Sequence, residues 1–176
     1  MRKIVFIFSL IALIINVFAC NRTSSTNSKN LSEEEMKEPL LKANKYLLRQ
    51  EEEDINDFVR RYRWNMEISG TGLRYMIDSS GSGVKVQYGN VVSLIYKVKL
   101  LTGEIIYDSE ISGLKEFVAG RGGVESGLEE GIKLLRKGDR AKFVLPSHLA
   151  FGLLGDSERI PPRTPIIYEI QVIDIK

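Results

Sequence analysis

One histidine, one cysteine and one tryptophan in 176 residues leave several familiar chemistries without their reagents. A Ser/His/Asp triad has only His148 for its base, and no Gly-x-Ser-x-Gly turn exists to present a serine. Metal ligation wants several His or Cys at close spacing, and Cys20 and His148 lie far apart in the chain. Gly120-Arg121-Gly122-Gly123 is followed by no Gly-Lys-Ser/Thr, so it is no phosphate cradle. Carboxylates are plentiful, yet no pair stands out as an acid/base couple. These absences argue against hydrolysis, phosphoryl transfer and redox chemistry, and they imply neither a metal nor a cofactor. A lone cysteine also forms no internal disulfide. Charge of one sign is lacking too: 25 Lys and Arg stand against 23 Asp and Glu, interspersed, which gives no electrostatic reason to bind nucleic acid.

The one long apolar run is at the start. Arg2 and Lys3 precede Ile4–Val17, which is short for a membrane span and has the layout of a secretory signal. Val17-Phe18-Ala19-Cys20 resembles a bacterial lipobox, with Phe18 an unusual residue in it. The expectation is a signal peptide over 1–19, removed, with Cys20 lipidated. Loss of Arg2 and Lys3 takes the net charge from +2 to zero, so attachment to a membrane would run through the lipid and not through a basic patch. Asn21 follows the cysteine where an aspartate would signal inner-membrane retention. The expected location is therefore the cell envelope, anchored in the outer membrane and facing the periplasm.

Residues 20–30 are small and polar and read as a flexible tether. Residues 31–65 read as helix. Ser32 and Glu35 have capping-box spacing, and Pro39 offers a second start. Met36, Leu40, Ala43 and Leu47 form one apolar stripe, which breaks at Glu51-Glu52-Glu53-Asp54 and resumes at Ile55, Phe58 and Tyr62. The break excludes a sustained coiled coil. Two short helices, or one helix packed on the following domain, fit better, with a homodimerisation arm as the alternative role.

From residue 66 the texture changes to strands and turns. Leu73, Tyr75 and Ile77 alternate, as do Val92, Leu94, Tyr96 and Val98, then Ala141, Phe143 and Leu145, then Ile166, Tyr168, Ile170 and Val172. Phe117 sits in another short strand. Leu128, Ile132 and Leu135 show helical spacing, closed by Lys137-Gly138. The pattern predicts an α+β domain over 66–176, an antiparallel sheet of about five strands wrapped on one short helix, preceded by the N-terminal helical segment.

Four blocks make this domain recognisable: GEIIYDS (103–109), VESGLEEGIKLLRKGDRAKFVLP (124–146), HLAFG (148–152) and IPPRTPIIYEIQVIDI (160–175). In order and spacing they resemble the FKBP family of peptidyl-prolyl cis-trans isomerases. With the lipobox and the helical segment, the chain is most similar to the gliding-motility-associated FKBP-type lipoproteins of Bacteroidetes. The resemblance implies an FKBP-like sheet on one helix and an aromatic pocket that rotates X–Pro bonds. It places the catalytic walls at Tyr96, Tyr107 and Tyr168, an acid at Asp108, and Phe151 where the family's carbonyl-binding tyrosine stands. It places substrate contacts at Val124, Glu125 (through its backbone N–H), Leu128 on the floor and Ile160 on the rim ahead of Pro161-Pro162. One further wall aromatic of the family falls on Lys115, which leaves Phe117 to cover that side. His148, despite being alone of its kind, reads as a loop residue with no proton to move.

The implied partners are proline-containing segments of envelope proteins. Phe151 and Lys115 keep two other roles open: a peptide-binding chaperone of low turnover, and a structural component of a motility or envelope complex acting through 31–65.

Overall fold

The structure is a computed structural model that describes residues 33–176. The signal segment 1–19, Cys20 and the tether 20–30 lie outside the described residues. Residues 42–176 form one compact unit, which includes the greater part of the N-terminal helix. No helix among the described residues is long and apolar enough to cross a membrane.

Residues Glu33–Tyr62 form one continuous helix, α1, with Pro39 inside it. The packed-helix alternative is the one realised for residues 42–62. Ile55 and Phe58 are buried with Val144 and Ile167, and Val59, Trp64, Met66 and Leu101 pack around them. The four-acid break in the stripe has a structural use. Glu51 accepts from the backbone N–H and the hydroxyl of Ser147, and Glu52 pairs with the guanidinium of Arg74, a residue only 1% exposed. Asn56 Oδ1 takes a second Arg74 N–H at 2.8 Å. The acids thus dock the helix where the apolar stripe lapses.

Seven strands follow, β1 (Glu67–Ile68), β2 (Arg74–Ser79), β3 (Val91–Leu100), β4 (Ile105–Asp108), β5 (Lys115–Val118), β6 (Arg140–Leu145) and β7 (Ile166–Ile175). All pair antiparallel in the order β1-β2-β6-β7-β3-β4, and β5 also pairs with β3. The expected fold class holds. The two strands beyond the five expected, β1 and β4, are two and four residues long, too short for alternation to mark them. Along β3, β5 pairs with Val91–Leu94 and β4 with Lys97–Lys99, so both line one edge in series. Between them a one-turn helix, α2 (Ser109–Ser112), carries the chain across.

Helix α3 (Ser126–Ile132) packs on β6. It ends before Leu135, which is buried in the turn leading to Gly138. Its close approach depends on two glycines. A Cβ at Gly127 would stand 2.6 Å from Leu145 and one at Gly131 2.6 Å from Phe143. The main core lies between α3 and the sheet and includes Leu94, Val98, Leu128, Ile132, Phe143, Ile166 and Tyr168.

Candidate active site

Strand register assembles the site. Pairing sets Tyr107 beside Val98, Val98 beside Tyr168 and Tyr168 beside Phe143, a row across four strands on one sheet face. Tyr96, two residues before Val98, joins that face because side chains alternate along a strand. Its ring lies 6.3 Å from that of Tyr168, tilted by 45°. Tyr96, Tyr107 and Tyr168 wall a cavity of about 630 Å³, completed by Val98, Lys115, Gly123, Val124, Glu125, Ala150, Phe151, Asp156 and Glu158.

Of the residues expected in the site, Tyr96, Tyr107, Val124, Glu125, Phe151 and Tyr168 therefore meet around one space. Leu128 and Ile160 are buried in the core and are not on its wall. Two more of them stand off the wall. Phe117 is buried in the core, and on its strand Lys115 reaches the cavity instead. Asp108 stands outside the lining. Its carboxylate pairs with Lys97 at 2.8 Å and caps α2 by accepting from the Glu110 N–H, and the Lys97 contact chiefly holds its carboxyl below the ordinary range. It is a turn-forming acid here. His148 lies in a short 3₁₀ turn (Ser147–Leu149), with Nε2 3.0 Å from the Thr71 carbonyl, and takes no part in the cavity.

The wall carries a buried polar network. Lys115 Nζ lies 5.4 Å from the ring centres of both Tyr96 and Tyr168. It donates to the Tyr168 hydroxyl at 3.0 Å and pairs with Glu125 at 3.5 Å, while Tyr168 donates to Glu125 Oε1 at 2.8 Å. Burial, followed by the Glu125 charge, pushes the Tyr168 phenol far above its ordinary value. The Glu125 side chain is 7% exposed, so its charge faces Lys115 rather than water. None of these groups is arranged as a nucleophile beside a base. The arrangement can bind a peptide segment, strip it of water and hold it against aromatic faces.

Asp156 was not visible to sequence reasoning. It lines the cavity and accepts the Tyr107 hydroxyl on Oδ2. The turn-forming Gly155-Asp156-Ser157 ahead of the Pro-Pro pair was the available signal.

Comparison with known proteins gives the family of the chain. Residues 82–173 match the family model described as FKBP-type peptidyl-prolyl cis-trans isomerase. The chain belongs to that family. An FKBP-type isomerase of Haemophilus influenzae, described as probable, is 28% identical over 131 residues, covering 73% of this chain and 54% of that protein. The FKBP-type isomerase FkpA of Escherichia coli is 32% identical over 112 residues, covering 63% of this chain and 40% of FkpA. The chain thus spans about half the length of these relatives, or less. The crystal structure of Escherichia coli FkpA superposes with a TM-score of 0.61 at 26% identity, covering 96% of this chain and 81% of that one. A peptidyl-prolyl isomerase from Pseudomonas syringae superposes at 0.64 with 23% identity, covering 75% of this chain and 95% of that one, and shares the fold.

Proposed function

We propose that this FKBP-type chain is an active peptidyl-prolyl cis-trans isomerase. The observation that carries the reading is the meeting of Tyr96, Tyr107, Phe151 and Tyr168 around one cavity, in a chain whose family model spans the same residues. The reaction asks for little else. An amide C–N bond resists rotation by about 20 kcal/mol through its partial double-bond character, and uncatalysed X–Pro exchange takes roughly tens to hundreds of seconds. Removing the carbonyl of the X–Pro amide from water weakens the resonance of the planar amide, and a wall shaped to the twisted amide binds that state better. Each tenfold of rate needs about 1.4 kcal/mol of such differential binding. NMR exchange on an X–Pro peptide, without a coupled protease, tests the reading: faster cis/trans exchange supports it, and an uncatalysed rate at saturating protein rejects it.

A second reading has its own support. Phe151 lacks the hydroxyl that the family places there, and Lys115 with Glu125 puts an ion pair into the wall. A peptide-binding chaperone of low turnover fits both features. Titration with the same peptide separates them, because a chaperone binds it and leaves its exchange rate unchanged.

The proposed setting is the bacterial envelope, with Cys20 lipidated, the domain facing the periplasm from the outer membrane, and proline-containing segments of envelope proteins as clients. The sequence of residues 1–20 supports it, and the likeness to gliding-motility lipoproteins belongs with it. Metabolic labelling with a fatty acid, lost in Cys20→Ala, tests the anchor. Tyr46, Leu47 and Leu48 are exposed on α1, which supports the helical arm as a dimer contact. Sedimentation of the protein and of Leu47→Glu tests that.

A further inference from the structure

One carboxylate at the mouth of the cavity gathers an unusual number of donors. Asp156 Oδ1 accepts the backbone N–H groups of Glu158 (2.9 Å), Arg159 (2.9 Å) and Ile160 (2.8 Å), while Oδ2 accepts the Tyr107 hydroxyl. Three successive N–H groups converge on one oxygen only where the backbone turns tightly, and such a concave cluster of donors favours an anion. The turn is uphill by itself, since Ser157 holds a φ of 65°, uncommon outside glycine. Gly155, at φ 72°, lies so close under the ridge that a Cβ there would meet the Ile160 carbonyl at 2.2 Å.

The same loop is fastened to β4 a second time. The Arg159 guanidinium lies 5.5 Å from the centre of the Tyr107 ring and donates to the Ile105 carbonyl at 3.4 Å. At its base, the Arg163 N–H donates to Gly152 at 2.8 Å. The loop begins beside Phe151 and ends at Ile160 and the Pro-Pro pair, so its shape sets one side of the cavity mouth.

We propose that Asp156 is a positioning residue of this site: it holds the 156–160 loop and the Tyr107 wall together as one rigid side of the cavity. This rests on the isomerase reading above. Asp156 Oδ1 is already filled by backbone donors, so the residue acts through Tyr107 and the loop rather than on the substrate. Its carboxyl stays ionised across ordinary pH. Partial burial opposes the charge, but the Tyr107 hydroxyl and the three N–H groups outweigh it and hold the value down to about 2.

The test uses the full chain, the NMR exchange assay at several peptide concentrations, and amide hydrogen exchange. Asp156→Ala should lower kcat/KM about five- to tenfold, chiefly through KM, because a loosened wall binds less well before it alters the chemistry. Amide exchange at 158–160 should speed up by about tenfold or more. Asp156→Asn keeps an oxygen for the same three N–H groups and should restore most of both. Tyr107→Phe combined with Asp156→Ala should be no worse than Asp156→Ala alone, since both act through one link. An unchanged KM in Asp156→Ala overturns the proposal, and so does a double variant whose effects multiply. If Asp156→Ala fails to fold, Asp156→Asn and Tyr107→Phe carry the test: slow amide exchange with near-normal KM in the first and a raised KM in the second support it, and any other pair of results overturns it. Wild-type protein without any acceleration rejects the isomerase reading itself, whereas an active wild type with an indifferent Asp156→Ala rejects only the role of Asp156.

Discussion

The hydroxyl of Tyr168 bridges two opposite charges, accepting from Lys115 Nζ at 3.0 Å and donating to Glu125 Oε1 at 2.8 Å. The residue is fully buried, so its hydroxyl has no water to replace either partner. Tyr168→Phe keeps the ring and should cost about 1–3 kcal/mol of stability, because it leaves the buried Glu125 carboxylate short of a donor. Urea unfolding measures this, and a loss below a few tenths would show that the bridge contributes little.

Lys115 and Glu125 form an ion pair in the cavity wall, and the pair should behave as compensated charge. Lys115→Met alone strands Glu125 and should destabilise the fold by roughly 1–3 kcal/mol. Lys115→Phe with Glu125→Ile removes both charges and should be neutral or stabilising, since apolar replacement of a buried pair often is. Thermal melts of the single and double variants check the sign.

The Tyr107–Asp156 contact predicts behaviour at both ends of the pH scale. Asp156 is held at about 2, below its ordinary value of 3.8, so its contribution is complete above pH 3.8 and is lost as pH falls through about 2. Tyr107 is pushed the other way, to about 12, first by its hydrogen bond to Asp156 and then by burial. Its contribution is complete below pH 10.0 and is lost as pH rises through about 12. An ultraviolet titration compared with Tyr107→Phe should show the missing phenol ionising near 12, and in Asp156→Ala it should return toward 10. A phenol already ionised near 10 in the wild type would contradict the contact.

Phe151→Tyr adds the hydroxyl that the family resemblance expects at the cavity wall. One hydrogen bond to the substrate carbonyl, worth about 1 kcal/mol net, should raise kcat/KM roughly fivefold. If exchange stays unchanged at equal stability, the substrate carbonyl lies elsewhere.

Helix docking is testable apart from the site. Ile55→Ala removes a wholly buried side chain and should cost about 2–5 kcal/mol. Arg74→Met should cost less, about 1–3 kcal/mol, because its partner Glu52 is half exposed and can turn to water. Both should leave KM for peptide near the wild-type value, which the exchange assay reads.

Most of the sheet was legible from alternation. Val92, Leu94, Tyr96 and Val98 are all buried, as the period-two pattern required, and Tyr96 and Tyr168 reached the cavity because that pattern sends them to one face. Phe117 and Lys115 show the limit of this reasoning. They share a strand face, and nothing in their spacing tells which enters the core and which the cavity. Asp108 and Asp156 show another. Both are turn acids near the site in sequence, and which of them meets a wall tyrosine depends on where a remote loop folds back.

The sequence by itself determined the family, the inward faces of the main strands and the aromatic character of the pocket, because each of these is written in local spacing or in contiguous motifs. Tertiary structure alone decided the polar fastenings. Tyr107 meets Asp156 across 49 residues, Tyr168 meets Lys115 across 53, and Ser147 meets Glu51 across 96. Contacts between residues so distant in the chain leave no periodic trace, because they depend on which segments the folded sheet brings together.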